Sequence, residues 1–434
     1  MSLSVVILAA GQGTRMKSDL PKVLHKLCGK EMLWHVISEA RKLSDDITVV
    51  LYHQAERVRD AMERAFDGLR FVIQDHLNFP GTGGAVMAAS PCHEKVLILN
   101  GDMPLIEASK LQGFLEIHAD IVMGVIRLDN PAGYGRVVMR GDRVERIVEE
   151  KDATPEEKAI NLVNSGVYLV RRDLLSSLLP RLSNANAQQE YYLTDIVSLA
   201  AADGAVVKPH IVPQEIFAGV NSKADLAAAE EIMLERIRKR WMAAGVTMRL
   251  PQTIYLDLSV EFEGECEVES HCVLKGKTKI IRSTVKAGSV IEDAILIDSD
   301  CGPMARIRPG TLMEGAHVGN FVEIKNATLH RGVKAGHLSY IGDAEVGEES
   351  NIGAGTITCN YDGINKHRTI IGKKVFVGSD TQLVAPVTVA DGAMIAAGTT
   401  ITTDVPEGAL AISRTPQKNV AGFVKRFFAS KGKA

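Results

Sequence analysis

Aliphatic residues recur every six positions through the last third of the chain, at Ile371, Val377, Leu383, Val389, Ile395 and Ile401. Two positions before each stands a smaller or β-branched residue: Thr369, Val375, Thr381, Val387, Ala393 and Thr399. The same double register is read upstream at Val346/Ile352 (with Ala344/Ser350), at Leu312/Val318/Ile324 and at Val285/Ile291/Ile297. Neither the helical period of 3.6 nor the strand period of 2 produces such spacing. It predicts a parallel β-helix of hexapeptide repeats, each laying down one short strand and a turn, with the aliphatic residue pointing inward. The solenoid is expected from near Pro251 to near Val405, interrupted by an irregular stretch from Cys359 to Arg368.

The first half reads differently. Val5 to Ala10 is a continuous apolar run of the kind found in buried parallel strands. A helical pattern follows over Met32 to Leu43, then a strand over Ile47 to Tyr52 and a helix from Ala55 to about Phe66. Phe71 to Gln74, Val96 to Asn100 and Ile121 to Ile126 predict further strands with helices between. Such alternation predicts a doubly wound, Rossmann-like α/β domain. From Ala224 to Ala243 runs one proline-free stretch rich in Ala, Glu, Arg and Met, predicting a long connecting helix. The expected division is residues 1–223, a helical linker at 224–244, and the solenoid with its tail at 245–434.

Composition narrows the class little. The 434 residues are 46% hydrophobic and 24% charged, and 50 basic against 53 acidic residues leave a net charge of −3. That balance argues against a generic nucleic-acid binder. No run is long enough to cross a membrane, and the apolar stretch at Val5 lacks a basic leader, so a cytoplasmic protein is expected. The six cysteines are scattered, which fits a reduced compartment; Cys266 and Cys272 are read as stacked core positions rather than a zinc pair.

Candidate chemistry begins where the first strand ends. Leu8-Ala9-Ala10 leads into Gly11-Gln12-Gly13-Thr14-Arg15-Met16, with Pro21-Lys22 beyond. Glycines here let the backbone approach phosphate, and loop N–H groups can face anionic oxygens. Arg15 and Lys22 can neutralise charge developing on a leaving pyrophosphate. The string is neither GxGxxG nor a Walker loop. In the solenoid, polar residues appear that a purely structural repeat does not need: Arg308, Lys325, His337, Tyr340, Asn351, Asn360, Tyr361 and Lys366. A histidine in a solenoid is commonly a surface or stacking residue. With Gly336 before it and Tyr340 after it, His337 could instead take the proton of an attacking amine, aided by a carboxylate such as Glu323. Arg308 and Lys325 suit a phosphate.

The strings Leu8-Ala9-Ala10-Gly11, Gly13-Thr14-Arg15-Met16 and Leu20-Pro21-Lys22 together resemble the signature of sugar-1-phosphate nucleotidyltransferases. Gly81-Thr82-Gly83 resembles that family's base-reading loop, Asn100-Gly101-Asp102-Met103-Pro104 its metal loop, and Gly133-Tyr134-Gly135-Arg136 its sugar-side loop. Farther on, Gly315 to Glu323, Lys334 to His337, Asn351 to Gly363 and Val377 to Thr381 extend the likeness over nearly the whole chain. It resembles the bacterial bifunctional N-acetylglucosamine-1-phosphate uridylyltransferase and glucosamine-1-phosphate acetyltransferase family.

That resemblance implies a left-handed β-helix, a homotrimer with acetylation sites between subunits, and two-step synthesis of UDP-N-acetylglucosamine. The solenoid would acetylate glucosamine-1-phosphate from acetyl-CoA, and the first domain would join N-acetylglucosamine-1-phosphate to uridylate from UTP, with Mg²⁺. It implies nucleotide and sugar contacts at Leu8, Ala9, Ala10, Gly11, Lys22, Gln74, Gly81, Thr82, Asn100, Gly101, Asp102, Gly135, Glu149, Asn164 and Asn221, the metal lying on Asp102 and Asn221. In the solenoid it implies sugar-phosphate contacts at Arg308, Lys325, Tyr340 and Asn351, with His337 as general base. Ala354, Asn360, Tyr361, Ser379, Ala397 and Arg414 would line the acetyl-CoA site. The chain departs from the pattern at Gln12, where the family has a basic residue, and in the tail beyond Arg414.

Overall fold

A computed structural model describes residues 3–432. It divides into two compact units, the first ending at Arg236 and the second beginning at Ile237.

The first unit is built on a mixed sheet with the strand order Val207–Ile211, Ile121–Arg127, Leu162–Arg171, Lys95–Asn100, Leu3–Ala9, Asp46–Leu51, Arg70–Ile73. The pairs Leu3–Ala9/Asp46–Leu51 and Leu3–Ala9/Lys95–Asn100 are parallel, as the apolar runs predict. Leu162–Arg171 runs antiparallel to both of its neighbours, so the sheet is not purely doubly wound. The chain reaches that strand through a hairpin, Arg136–Arg140 with Arg143–Val148, which reverses its direction. Both faces of the sheet are covered. One packs Val5, Ile7, Leu33, Ile37, Val49, Leu97 and Leu99, the other Val6, Val50, Val86, Ile98, Val125 and Ile196. Alternate residues of each strand thus serve opposite cores.

The long helix forms over Lys223–Ala243. Its early turns do not stand free: Leu226, Ala229, Ile232 and Met233 pack with Leu27, Met32, Leu105 and Val220. Its last turns belong to the second unit. There the buried Arg238 donates from Nε to the Ile254 carbonyl at 2.8 Å, and Trp241 meets Phe262 edge-on at 5.2 Å. These last turns therefore pack against the first coil.

The second unit is a three-faced prism of parallel strands, with ten, nine and eight strands on its faces among the described residues. Every member of the series from Ile371 to Ile401 is buried, as is every partner two positions earlier. Along one face Val268, Val285, Cys301, Val318, Ala335, Ile352, Val377 and Ile395 stack in register. Upstream the six-residue step is broken. Leu312 and Ile297 point outward, and their neighbours Met313 and Leu296 fill the core instead. Corners one residue shorter than elsewhere cause this, because a one-residue slip moves a side chain to the opposite face of a strand. The prism also extends beyond the expected limits, from Thr247–Met248 to Leu410–Ala411. Cys266, Cys272 and Cys301 are unpaired and buried in it, and burial pushes the Cys272 thiol up to about 11.

Candidate active sites

The nucleotide loop forms where Leu3–Ala9 ends. Gly13 adopts φ +64°, and a Cβ there would lie 2.5 Å from the Lys22 Cβ, so this turn requires glycine. A Cβ on Gly11 would meet nothing within 4 Å, so its backbone stays open to a ligand. The loop borders a cleft of roughly 630 Å³. Of the predicted residues, Leu8, Ala9, Ala10, Gly11, Arg15, Lys22, Gln74, Gly81, Thr82, Asn100 and Asp102 line it. Gly101 supports it from beneath, its N–H donating to the Leu8 carbonyl at 2.8 Å.

At one end of the cleft three elements converge. Lys22 Nζ pairs with Asp102 Oδ2 and donates to Asn221 Oδ1 at 2.7 Å, and Arg15 Nη2 donates to the same amide oxygen at 2.8 Å. Asn221 is fixed by its own contacts, its backbone N–H on Asp225 Oδ2 at 2.9 Å and its Nδ2 on the Gly219 carbonyl at 3.2 Å. A carboxylate oxygen and an amide oxygen thus share a single cation, here an ammonium. Hard oxygen donors of this kind also suit Mg²⁺.

The base-side loop is held by pairing with a segment that the sequence reading missed. Gly83 N–H donates to the Tyr191 carbonyl at 2.7 Å and Tyr191 N–H to the Pro80 carbonyl at 2.8 Å. Thr82 Oγ1 accepts from Leu193 N–H at 3.1 Å. A Cβ on Gly84 would fall 1.9 Å from the Phe79 carbonyl oxygen, which explains the glycine pair. Gln188 and Glu190 of the pairing segment line the cleft, as does His76, stacked on Tyr52 at 4.4 Å. No motif marks these three residues; only chain packing brings them in. Buried Gln74 spends its Nε2 on the Phe79 and Gly81 carbonyls, both at 2.9 Å.

Gly135, Glu149 and Asn164 form a neighbouring group rather than part of the cleft lining. Asn164 N–H donates to the Gly135 carbonyl at 2.9 Å, and a Cβ on Gly135 would come 3.2 Å from Glu149 Oε1. Asn164 Oδ1 accepts from Gly166 N–H at 2.9 Å, and Gly166 abuts Asn100, which connects the group to the cleft. Burial, reinforced by Asp195 and Asp152, raises the Glu149 carboxyl above its ordinary value, against the 3.3 Å hydrogen bond from Thr194. A carboxyl raised by folding stabilises only when protonated, so above that raised value it is a net cost. Glu149→Gln is therefore expected to raise the melting temperature at neutral pH. The advantage should shrink as pH falls through the carboxyl's range toward its unfolded value, which melting curves from acid to neutral pH check.

On the prism the predicted acetylation residues fall on two corners flanking one face. Asn320 and His337 are in register on adjacent coils. Backbone hydrogen bonds from Leu338 to Asn320, Asp380 to Ala354 and Gly398 to Ser379 continue that corner. His337, Ala354, Ser379 and Ala397 therefore stand on successive coils along one edge, and Arg414 Nη1 donates to the Ala397 carbonyl. His337 is exposed, not packed inside. The side chains that follow it along this edge, Ala354, Ser379 and Ala397, are small.

At the other corner Arg308 and Lys325 project beside Tyr340, which follows Glu323 in register. The expected pairing of Glu323 with His337 is not formed. Glu323 Oε1 instead accepts from Arg308 Nη1 at 2.8 Å, because both side chains leave the same face. The irregular stretch after Cys359 is a protruding loop closed by a Tyr361–Lys366 bridge. Asn360 Nδ2 donates to Asp343 at the corner, while Tyr361 is exposed and its hydroxyl donates within its own loop, to the Gly363 carbonyl at 2.6 Å. Lys366 is held against Lys325, which lowers the Lys366 pKa despite nearby Asp343 and Tyr340. Two ammonium groups crowded together make a ready seat for a phosphate. Asn351 lies on the adjoining face, paired with Lys334.

Comparison with known proteins matches residues 5–231, more than half of the chain, to the MobA-like NTP transferase domain. Residues 368–403 match the bacterial transferase hexapeptide family (six repeats). The bifunctional protein GlmU of a Nitratiruptor species is 60% identical over 428 residues, 99% of each chain. The chain belongs to the GlmU family. The GlmU proteins of Wolinella succinogenes and of a Sulfurovum species are 59% and 57% identical, each over 99% of this chain and 100% of theirs. As a GlmU-family member it is an α/β nucleotidyltransferase unit followed by a left-handed parallel β-helix of hexapeptide repeats. It is a bifunctional enzyme that makes UDP-N-acetylglucosamine, by acetyl transfer to glucosamine-1-phosphate and uridylyl transfer to N-acetylglucosamine-1-phosphate.

Proposed function

We propose that uridylyl transfer runs in the cleft at Gly11 and acetyl transfer along the prism edge at His337. The observation that carries the first assignment is the convergence of Asp102 Oδ2 and Asn221 Oδ1 on one cation beside an open glycine loop. Mg²⁺ held by these two oxygens would supply charge neutralisation between the triphosphate and the incoming sugar phosphate. Lys22, which contacts both oxygens, would then turn to the phosphates, and Arg15 beside it would stabilise the departing pyrophosphate. Glu149 and Asn164 take the sugar hydroxyls and N-acetyl group, with Gly135 giving room. Gln74, having spent its Nε2 on the loop, offers only Oε1 to the base. An acceptor there complements the N3–H of uracil and repels the N3 lone pair of cytosine. Incubation with each nucleoside triphosphate, N-acetylglucosamine-1-phosphate and Mg²⁺ should show turnover of UTP at least about tenfold above the others, the factor that ~1.4 kcal/mol supplies. A preference for ATP, GTP or CTP would overturn the base assignment.

In the second site Arg308, Lys325 and Lys366 hold the phosphate of glucosamine-1-phosphate, with Tyr340 and Asn351 on the sugar. The amine attacks the thioester carbonyl of acetyl-CoA as the exposed His337 imidazole takes its proton, and the CoA thiolate leaves. The edge at Ala354, Ser379 and Ala397, with Asn360, Tyr361 and Arg414, carries the pantetheine arm and its phosphates. A homotrimer fits the outward apolar column Phe376–Met394–Leu410, exposed on one face of the prism. Residues on two corners of one prism need a neighbouring surface to form a closed site. Equilibrium sedimentation at three times the 46.9 kDa chain mass is the expected result. Among the described residues no helix is long and apolar enough to cross a membrane, and the buried thiols of Cys266, Cys272 and Cys301 accord with a cytoplasmic setting.

A further inference from the structure

A second cluster of chemistry-bearing side chains lies at the opposite end of the strands of the nucleotidyltransferase sheet. Asp46 opens one strand, Cys92 and His93 precede the strand that starts at Lys95, and Ser4 sits on the strand between them. The nucleotide loop leaves the far ends of these same strands, at Gly11 and Gly101, so the cluster is separate from the cleft.

Three donors of different chemistry converge there. Cys92 Sγ lies 3.2 Å from Asp46 Oδ2 and 3.5 Å from His93 Nδ1, and that nitrogen lies 2.9 Å from the same carboxylate oxygen. All three atoms fall within 4.8 Å of one another. A tetrahedral ion with bonds of about 2.3 Å to sulfur and about 2.0–2.1 Å to nitrogen and oxygen separates its ligands by roughly 3.3–3.6 Å. The observed separations come within a few tenths of an ångström of that triangle. The thiol is exposed and so reachable, while Asp46 is held from both sides. Arg70 Nη2 pairs with Oδ1 at 2.5 Å, leaving Oδ2 as a single monodentate donor. Ser4 Oγ donates to Oδ2 at 2.5 Å and accepts from His93 N–H at 3.1 Å, fixing carboxylate and histidine together. Partners of this kind orient ligands in metal sites.

We propose that Cys92, His93 and Asp46 bind one zinc-type divalent ion, water completing the tetrahedron, and that the ion ties the start of the Asp46 strand to the segment entering the Lys95 strand. The thiolate selects zinc over Mg²⁺, which prefers oxygen. Binding takes the Cys92 thiol proton into solvent and leaves the His93 proton on Nε2; Asp46 is already ionised, so one proton is released per ion.

The test uses the full-length protein, stripped by chelator and kept in excess Mg²⁺ to saturate the oxygen site at Asp102. Titration with Co²⁺ should build a thiolate-to-cobalt charge-transfer band that saturates at one equivalent and is lost on adding Zn²⁺. Cys92→Ser should abolish the band. Competition against a chromophoric chelator should show zinc affinity falling about 10–100-fold or more in both Cys92→Ser and His93→Ala. Cys359→Ser should change neither readout, and all three variants should keep uridylyl transfer. Absence of the band in the unaltered protein, its retention in Cys92→Ser, or unchanged zinc affinity in either ligand variant would overturn the proposal.

Discussion

Asp102→Asn is expected to lower uridylyl transfer by about 10²–10³-fold while acetyl transfer continues unchanged. The substitution preserves shape and one acceptor oxygen but removes the carboxylate that meets Lys22 beside Asn221 at the end of the cleft. Without it, the negative charge that pairs with Lys22 and would hold Mg²⁺ is gone, and the triphosphate faces the sugar phosphate with less neutralisation. Folding should survive. The Asn amide keeps an oxygen acceptor for Lys22, and the backbone of the loop is anchored independently through Gly101 on Leu8 and Val220 on Asp102. Steady-state rates of pyrophosphate release, measured beside thioester cleavage on the same preparation, separate the two effects. Equal loss of both activities would mean that the residue acts through folding.

His337→Ala is expected to lower acetyl transfer by about 10²–10⁴-fold and leave uridylyl transfer intact. The imidazole stands exposed at the head of the Ala354–Ser379–Ala397 edge, and the residue meets Ser339 through its backbone carbonyl, which accepts from Oγ at 2.9 Å. That bond survives truncation of the ring, so the substitution should not unfold the coil. The backbone around it is secured by Leu338 N–H on Asn320 and by Ser339 Oγ on Gly353. The free CoA thiol reports the rate. Glu323 is turned to Arg308 and so does not orient the His337 ring. The Glu323→Gln variant should accordingly act on sugar-phosphate affinity through Arg308, not on the pH profile of acetyl transfer.

Much of this organisation was legible in the chain because its physics is local. A six-residue period can only be satisfied by a coil, and each aliphatic residue from Ile371 to Ile401 found the interior. The glycine-rich strings around Gly13 and Gly81 mark places where a Cβ would collide, which is a constraint that sequence carries openly. What escaped depends on distant packing. The slips at Leu312 and Ile297 follow from corner lengths that no single hexapeptide reveals. Gln188 and Glu190 reach the cleft only because their segment pairs with Pro80 and Gly83. The antiparallel direction of Leu162–Arg171 is set by the hairpin that precedes it and not by its own residues. Glu323 shows the same limit: nearness to His337 in sequence did not translate into contact, since Arg308 shares its face.

The central claim, that the two chemistries run at separate sites on one chain, is tested most directly by mixing variants. Asp102→Asn and His337→Ala, each supplied alone with glucosamine-1-phosphate, acetyl-CoA, UTP and Mg²⁺, should make almost no UDP-N-acetylglucosamine. An equal mixture of the two should restore its synthesis, with N-acetylglucosamine-1-phosphate passing through solution. Full product from either variant alone, or none from the mixture while each retains its other half-reaction, would contradict the account.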